Sequence, residues 1–220
     1  MDAAAGEIVH RWLGRLPYAA VFAAQQAFTR GRDPSTPDEL WSLEHDSVFT
    51  QGQAGRAEHL LLPGEIPVVA SDRGGQVTWH GPGQLVVYLL LDVRRRGLGV
   101  RALVSIIEEA VIEYLASLGI ESAARSDAPG VYVAGAKIAA LGLRISRGRS
   151  YHGLSLNVDA DLEPFSRIDP CGMAGLPVTR LVDVGVMRTV PAVRDELLPR
   201  LADRLGGELR NGDDALPVPG

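Results

Sequence analysis

Three stretches of the chain repeat apolar residues at the spacing of an amphipathic helix. In the clearest of them one apolar stripe runs the whole length, while Glu108, Glu109 and Glu113 lie off it. Gly119 directly follows that stripe and is a typical helix stop. The pattern predicts helices over residues 18–30, 100–118 and 190–205.

Shorter apolar segments separated by glycine and proline predict strands. Segment 85–93 is apolar apart from Asp92, which is typical of a central strand covered on both faces. Because the strands come in hairpin runs rather than in alternation with helices, we expect an α+β fold, with helices packed on a sheet, and not a Rossmann-like parallel sheet. Further strands are predicted at 40–49, 67–70, 76–79, 130–134, 137–145 and 151–158, with a short one at 181–186.

Length and composition predict one globular domain. The chain has 220 residues, 46% of them hydrophobic and 22% charged, which is ordinary for a soluble protein. We expect a single domain over 1–210 and a disordered tail over 211–220, which is polar and rich in proline. The start of the chain lacks the basic segment and apolar run of a signal peptide, and no apolar run is long enough to span a bilayer.

Charge and cysteine content narrow the function classes further. A net charge of −5 argues against nucleic-acid binding. Since the chain has one cysteine, Cys171, an intramolecular disulfide is excluded, and a free thiol fits the cytoplasm. The five histidines are scattered without metal-ligand spacing, so no metal site is predicted. Neither a G-x-S-x-G elbow nor a phosphate-binding loop is present, so no serine hydrolase or nucleotide site is indicated.

Lys137 is the single lysine among 22 basic residues. Arginine cannot lose its proton in a protein, whereas lysine can, so Lys137 could accept a proton from Cys171. With reference pKa values of about 8.5 for Cys and about 10.4 for Lys, that transfer is favourable by roughly 2.6 kcal/mol. The pattern therefore suggests a thiol nucleophile with an amine base. Codon bias and a lysine that reaches out to water are the alternatives.

A second cluster of chemical groups is the glycine-rich segment 73–84, with sequence RGGQVTWHGPGQ. Glycine pairs let the backbone approach a ligand closely, and Gln76, Thr78, Trp79 and His80 add polar groups and a flat apolar wall. The segment suggests a ligand-binding loop held between strands, although a pair of tight turns without a ligand is the alternative. His80 could act as a general base or as a structural hydrogen-bonding group.

Four segments together resemble the octanoyltransferases of lipoate biosynthesis. The resemblance covers roughly residues 44–184 and keeps the order and spacing of the motifs. It is carried by RGGQVTWHGPGQ at 73–84, GAKIAALG at 135–142, YHGLSLN at 151–157 and PCG at 170–172.

The resemblance implies a fold, a reaction and a set of partners. The fold would be that of the biotin and lipoate protein ligases, a mixed sheet flanked by helices. The enzyme would take octanoyl from acyl carrier protein onto Cys171 as a thioester, with Lys137 lowering the pKa of the thiol. It would then pass the acyl group to a lysine of a lipoyl domain, on 2-oxoacid dehydrogenase complexes or the glycine cleavage H protein, as the first committed step of protein lipoylation. No cofactor is implied, and we expect a monomer.

The same resemblance implies which residues line the acyl site. Those residues are Arg73, Gly74, Gly75, Gln76, Val77, Thr78, Trp79, His80, Ala140, Leu141, Gly142, Gly153, Leu154 and Ser155. Val77, Trp79, Leu141 and Leu154 would supply the apolar channel for the chain.

Basic residues suggest where acidic carrier proteins could dock. The run Arg94–Arg96, together with Arg144, Arg147 and Arg149, is the candidate patch, and a solvated charged face is the alternative. Three other functions stay open at this point: an ATP-dependent lipoate or biotin protein ligase on the same fold, a thioesterase-like hydrolase, and a non-catalytic module that binds acyl groups or lipoyl domains.

Overall fold

A computed structural model describes residues 6–217, apart from the side chain of Cys171. The helices are α1 (Tyr18–Gly31), α2 (Val100–Ser117) and α3 (Val190–Arg204). The strands are β1 (Gly6–Leu16), β2 (Asp38–His45), β3 (Val48–Gln51), β4 (Val68–Ala70), β5 (Val77–His80), β6 (Gln84–Leu90), β7 (Ala123–Ala124), β8 (Gly130–Val133), β9 (Ala136–Ser146), β10 (Arg149–Asn157) and β11 (Gly207–Asn211).

The strands form a large mixed sheet and a small one. The large sheet has the order β11-β1-β2-β6-β10-β9-β8-β7, and the small sheet has the order β4-β3-β5. In the large sheet β1 runs parallel to both β2 and β11, whereas the other neighbours are antiparallel. The predicted α+β fold with a mixed sheet is therefore confirmed.

Strand β6 lies in the middle of the large sheet and carries both main cores. Side chains alternate between the two faces of a strand. Leu85, Val87 and Leu89 pack under α2 and α3, whereas Val86 and Leu90 pack under α1. All of β6 is buried, which confirms the prediction of a central strand covered on both faces.

The three predicted helices are confirmed to within one residue at each end, but one residue of α2 departs from the prediction. The sequence pattern placed Glu108 off the buried stripe. The structure instead buries Glu108, whose Oε1 accepts a hydrogen bond from the Gly130 N–H at 2.8 Å. A buried carboxylate is stable when such a donor meets it, and the partner lies too far along the sequence to be recognised from helical periodicity.

Two strand predictions are wrong in part. Segment 40–49 is two strands in different sheets, because the chain turns at the exposed Asp46 before β3 begins. Segment 181–186 is not a strand. Leu181 and Val182 each donate one backbone hydrogen bond to the end of β10, after which a 3-10 turn ends at Gly185 with a φ of 87°.

The edge of the large sheet holds two strands that the apolar pattern did not predict. Strands β1 and β11 pair in parallel from opposite ends of the chain. Beyond β11 the Gly212 N–H donates to the His10 carbonyl at 2.8 Å, and Leu216 packs against the core under α1. The described part of the predicted disordered tail thus continues the sheet edge, and residues 218–220 lie outside the description. None of the helices within residues 6–217 is long and apolar enough to cross a membrane.

Candidate active site

A cavity lies where β5, β9, β10 and the start of α1 meet. Its floor is a row of paired residues in which Gly153 on β10 lies between Tyr88 and Gly142. The close packing of the strands requires glycine at position 153, because an added Cβ would stand 2.0 Å from the Val87 carbonyl oxygen. The lining residues are Tyr18, Arg73, Gly75, Gln76, Val77, Thr78, His80, Tyr88, Ala140, Leu141, Gly142, His152, Gly153, Leu154 and Ser155.

The cavity brings together most of the acyl-site residues that the sequence predicted, with the exception of Gly74 and Trp79. Gly74 lies in a neighbouring groove, and its N–H donates to the Leu143 carbonyl at 2.9 Å. Trp79 points away from the cavity, so its predicted place in the apolar channel is wrong. Its ring packs edge-on against Phe165 with centroids 5.6 Å apart, and its Nε1 donates to Ser47.

Arg73 fixes the shape of the glycine-rich segment from within. Its buried guanidinium donates to the carbonyls of Gly74 and Gln76 at 3.0 and 2.7 Å and to the Thr50 carbonyl at 2.7 Å. Three backbone acceptors thus hold one planar cation and tie the loop to β3. The segment approaches β9 closely, because a Cβ added to Gly142 would stand 3.0 Å from the Gly74 carbonyl oxygen. The loop is therefore preformed for binding.

Lys137 faces a smaller chamber beside the main cavity. The chamber also contains Asn157, Phe165, Pro170 and Val178. Thr78, Ala140 and Ser155 line both spaces, so the two adjoin. Lys137 is buried, at 4% exposure, and does not reach out to water.

The Lys137 side chain is held in place by polar and aromatic contacts. Its Nζ donates to the Pro129 carbonyl at 3.0 Å and lies 5.2 Å from the centre of the Tyr132 ring. A carbonyl and an aromatic face both favour a cation. These contacts fix the position of the amine beside the chamber.

The segment with Cys171 runs alongside this chamber. Its backbone forms a 3-10 turn over Pro170–Gly172, entered through a hydrogen bond from the Asp169 N–H to the His59 carbonyl. Further along, the Lys137 N–H donates to the Pro177 carbonyl at 2.8 Å, and the Thr179 N–H donates to the Lys137 carbonyl at 2.9 Å. The segment is thus tied to the residue that the sequence paired with Cys171. The Cys171 side chain lies outside the description, so the thiol–amine pair stays a prediction.

His152 is a cavity residue that the site prediction missed. It has a φ of 59° within β10, a left-handed conformation that is uncommon for a residue other than glycine. The twist turns its N–H away from the sheet, and Gln25 on α1 accepts it at 2.8 Å. Burial lowers the pKa of His152, although Asp72 opposes that shift, so the ring tends to stay neutral. Backbone strain of this kind is found at functional sites.

Asp72 orients His152 from outside the cavity. One carboxylate oxygen accepts from His152 Nε2 at 2.8 Å, and the other accepts from the Tyr151 hydroxyl and from Gln26. Partial burial raises the pKa of Asp72, but the hydrogen bonds from His152 and Tyr151 outweigh it and lower the pKa to about 2. The only signal in the sequence was position, since Asp72 precedes one motif and His152 lies inside another.

His80 lines the cavity as a neutral group. Its Nδ1 is 2.7 Å from Gln84 Oε1, while Gln84 Nε2 donates to Asn157. That amide orientation makes His80 Nδ1 the donor. Burial, followed by the nearby His45, lowers the pKa of His80 to about 3. These contacts favour the structural alternative for His80 over a general base.

The basic run predicted as a docking patch is largely committed to the fold. Arg95 and Arg96 both bind the buried Asp38, with N–O distances of 2.8 and 2.5 Å. Arg149 donates to the Thr29 carbonyl at 2.9 Å. Exposed members of the predicted patch are Arg94, Arg147 and, despite its pairing with Asp38, Arg95. The patch as drawn from the sequence is therefore wrong for Arg96, whose side chain is 12% exposed.

Comparison with known proteins gives the same family as the motifs. The chain matches the family model of the lipoyl protein ligase A/B catalytic domain over residues 17–202. It is 62% identical over 196 residues to an octanoyltransferase from Stutzerimonas stutzeri, which covers 89% of this chain and 90% of that relative.

Solved structures share the fold at much lower identity. A bipartite lipoate protein ligase from Thermoplasma acidophilum superposes with a TM-score of 0.76 at 17% identity, covering 96% of this chain and 87% of the other. A biotin protein ligase from Aquifex aeolicus gives a TM-score of 0.56 at 15% identity, covering 90% and 70%. These likenesses confirm the predicted ligase-like fold. With the family model and the close relative, they establish that the chain belongs to the lipoyl protein ligase A/B catalytic domain family and, within it, to the octanoyltransferases.

Proposed function

We propose that this chain, an acyltransferase of the octanoyltransferase family, carries the octanoyl group as a thioester on Cys171 and uses Lys137 as its proton acceptor. The donor is octanoyl-acyl carrier protein, and the acceptor is a lysine of a lipoyl domain, as on 2-oxoacid dehydrogenase complexes and the glycine cleavage H protein. The observation that carries the proposal is the buried Lys137 amine, which faces a chamber shared with Pro170 and adjoining a larger cavity.

The first half of the reaction moves the acyl group onto the enzyme. Lys137 takes the proton of the Cys171 thiol, and the thiolate attacks the carbonyl carbon of the donor thioester. A new carbon–sulfur bond forms as the bond to the carrier's sulfur breaks. The carrier leaves as a thiol after the Lys137 ammonium returns the proton. Arginine could pair with the thiolate but could neither accept nor return that proton.

The second half passes the acyl group to the acceptor. The amine of the lipoyl-domain lysine attacks the Cys171 thioester, an amide bond forms, and the carbon–sulfur bond breaks. Lys137, now neutral, accepts the proton that the attacking amine loses and transfers it to the departing Cys171 sulfur. Each cycle returns both residues to their starting states, so no cofactor is consumed.

The main cavity fits the octanoyl chain. Gly142 and Gly153 lie at its floor, and Leu141 and Leu154 are apolar residues of its lining. His80 and His152 add hydrogen-bonding groups that tend to stay uncharged. The guanidinium of Arg73, which also lines the cavity, donates to backbone carbonyls. We therefore assign this cavity to the acyl chain and the Lys137 chamber to the carbonyl carbon.

The same proposal includes the setting in which the enzyme works. A reactive thiol without a disulfide partner fits the cytoplasm, where thiols stay reduced. We propose that the enzyme acts there as a monomer, between two carrier proteins that arrive in turn.

Mass spectrometry after mixing with octanoyl-acyl carrier protein tests the proposal. We expect a hydroxylamine-labile octanoyl adduct on the wild type, no such adduct on Cys171→Ser, and strongly slowed formation on Lys137→Arg across the pH range. The Lys137→Arg variant separates charge from proton transfer, because arginine keeps the positive charge but cannot give up its proton at accessible pH.

Two results would contradict the proposal. An adduct that forms at the wild-type rate on Lys137→Arg would remove Lys137 from the chemistry. Octanoylation of a lipoyl domain from free octanoate and ATP, with Cys171→Ser fully active, would assign the chain a ligase reaction instead.

A further inference from the structure

Glu108 is a buried carboxylate that the proposed reaction does not use. It projects from α2, with 9% exposure, to the start of β8, whereas Glu109 and Glu113 on the same helix pair with Arg204. Burying a carboxylate costs free energy unless the group accepts a hydrogen bond. The Gly130 N–H supplies that bond at 2.8 Å. The Glu108 carboxylate is thus fixed at the first residue of β8.

The peptide unit that meets Glu108 also meets Lys137. Its N–H belongs to Gly130 and its carbonyl to Pro129, and the two point in opposite directions from one planar group. Glu108 accepts from the N–H, while Lys137 Nζ donates to the carbonyl at 3.0 Å. One peptide therefore connects the carboxylate to the amine through two hydrogen bonds in series.

Hydrogen bonds in series strengthen one another, because each polarises the next. A carboxylate on the N–H draws electron density toward the carbonyl oxygen, which then holds an ammonium more tightly than a neutral amine. The negative charge of Glu108 acts in the same direction through space. Both effects hold the Lys137 amine at the Pro129 carbonyl, beside the segment that carries Cys171.

Gly130 makes this arrangement sterically possible. Its φ is 143°, and a Cβ added there would stand 3.1 Å from Lys137 Cε and 3.3 Å from Nζ. The lysine side chain thus passes directly over the glycine. The position combines a hydrogen bond to Glu108 on one side with close passage of Lys137 on the other.

We infer that Glu108 is a positioning residue for the acyl transfer: through the Pro129–Gly130 peptide it fixes the Lys137 amine where it can pair with the Cys171 thiolate. The inference rests on the proposed function, since it needs the Cys171–Lys137 pair. It adds a third residue, on a helix that has no part in the acyl cavity.

Other titratable or charged groups also surround this relay. Tyr132 on β8 contacts Lys137, and Arg125 lies 5.0 Å from the centre of the same ring, paired with Asp127. Cys171 lies on the neighbouring 3-10 turn. A substitution at Glu108 does not remove any of these groups. The pH profile of the variant can therefore be compared directly with that of the wild type.

The rate of Cys171 alkylation as a function of pH tests the inference. Iodoacetamide reports on the thiolate, and the chain has no second cysteine to confuse the signal. In Glu108→Gln we expect the midpoint to rise by about one pH unit, so that alkylation at pH 7 slows about tenfold while the rate at high pH stays at the wild-type value. Octanoyl transfer at pH 7 should slow by a similar factor. Glu113→Gln, an exposed position on the same helix, is the matched control and should leave the profile unchanged.

Lys137→Ala separates a failure of this inference from a failure of the proposed function. If Lys137→Ala raises the midpoint but Glu108→Gln does not, the relay is wrong and the Cys171–Lys137 pair stands. If neither variant changes the profile, the pair itself is wrong and the relay falls with it. Should Glu108→Gln fail to fold, Glu108→Asp keeps the charge and withdraws it by one methylene, and a wild-type profile there overturns the inference equally.

Discussion

Asp38 and Asp72 each lie at the centre of a polar cluster, but the two clusters are built from different residue types. Around Asp38 the partners are Arg32, Arg95 and Arg96, at N–O distances of 2.5, 2.8 and 2.5 Å. The side chains of Asp38 and Arg32 are each 1% exposed. Arginines keep their charge at every accessible pH. The ion pairs of this cluster therefore connect the end of α1, strand β2 and the 94–96 turn at any pH at which Asp38 is ionised. None of its residues lines the acyl cavity.

Around Asp72 the partners are Tyr151, His152 and Gln26. His45 and His80 lie close by, with rings 5.9 Å apart. Burial lowers the pKa of His45 to about 4 and that of His80 to about 3, so both are neutral at pH 7. The cavity wall is thus polar yet largely uncharged.

The contrast shows that the fold keeps the ionic cluster that stabilises it apart from the polar cluster at the cavity. The charged cluster at Asp38 lies away from the cavity, whereas Arg73, which lines the cavity, has its guanidinium held by backbone carbonyls. Groups that can give up their charge lie at the cavity, where hydrogen bonds are needed for orientation. If this is correct, changes at the Asp38 cluster should mainly lower stability, whereas changes at the Asp72 cluster should mainly lower activity.

The largest effect is expected from Asp38→Ala. Removing the carboxylate leaves the buried Arg32 guanidinium without its ionic partner, which should lower the free energy of unfolding by about 3–5 kcal/mol. Urea denaturation measures the loss. Activity per folded molecule should stay within about twofold of wild type, because the cluster does not touch the cavity. The control is Asp46→Ala, which breaks an exposed pair with Arg15 and should cost less than about 1 kcal/mol.

The second prediction concerns pH and the histidine-rich cluster. His45 has a pKa of about 4 in the fold and about 6.5 when unfolded, so the unfolded chain binds the proton first as the pH falls. Its contribution to stability is therefore complete above pH 6.5 and is lost progressively down to about pH 4, by on the order of 2–3 kcal/mol. Denaturation of wild type and His45→Gln at pH 7.5 and pH 4.5 checks this, and the stability of His45→Gln should fall less over that interval. Equal losses in both proteins would assign the acid sensitivity to other groups.

The third prediction is that Asp72→Asn reverses the pattern of Asp38→Ala. Asp72 is partly exposed, so its loss should lower the free energy of unfolding by no more than about 1 kcal/mol. The asparagine oxygen can still accept from His152, but without charge, and the ring should lose its fixed orientation at the cavity. We expect kcat/KM for octanoyl transfer to fall roughly tenfold. An unchanged kcat/KM together with a large loss of stability would make Asp72 a second structural fastening.

The sequence alone was sufficient for the features that depend on local pattern. Strand β6 and helix α2 have apolar residues at the period of their own structure, and Lys137 and Cys171 stood out because each is unique in the chain. The two polar clusters could not be predicted, because their members lie far apart in sequence: Asp38 is 57 residues from Arg95, and Asp72 is 80 from His152.

Packing explains the remaining errors. Trp79 belongs to a predicted binding segment, yet its ring lies over Gly81, where an added Cβ would stand 2.0 Å from the ring. That side of the strand faces Phe165 and not the cavity. Strands β1 and β11 carry mixed polar residues, and they become regular through pairing with distant parts of the chain: β1 with β2 and β11, and β11 with β1.

The smallest effect is expected from charge reversal at Arg147. This variant tests whether exposed arginines bind a partner while the arginines paired with Asp38 stabilise the fold. Arg147 is exposed, whereas Arg96 is bound to Asp38. If exposed basic residues guide an acidic carrier protein, Arg147→Glu should raise KM for octanoyl-acyl carrier protein about two- to fivefold at low salt and lose this difference at high salt, with unchanged stability. Arg96→Glu should instead lower the free energy of unfolding, because it places a second carboxylate beside Asp38. A salt-independent KM in Arg147→Glu would move the docking surface elsewhere on the molecule, while the assignment of Arg96 to the fold would stand on its own measurement.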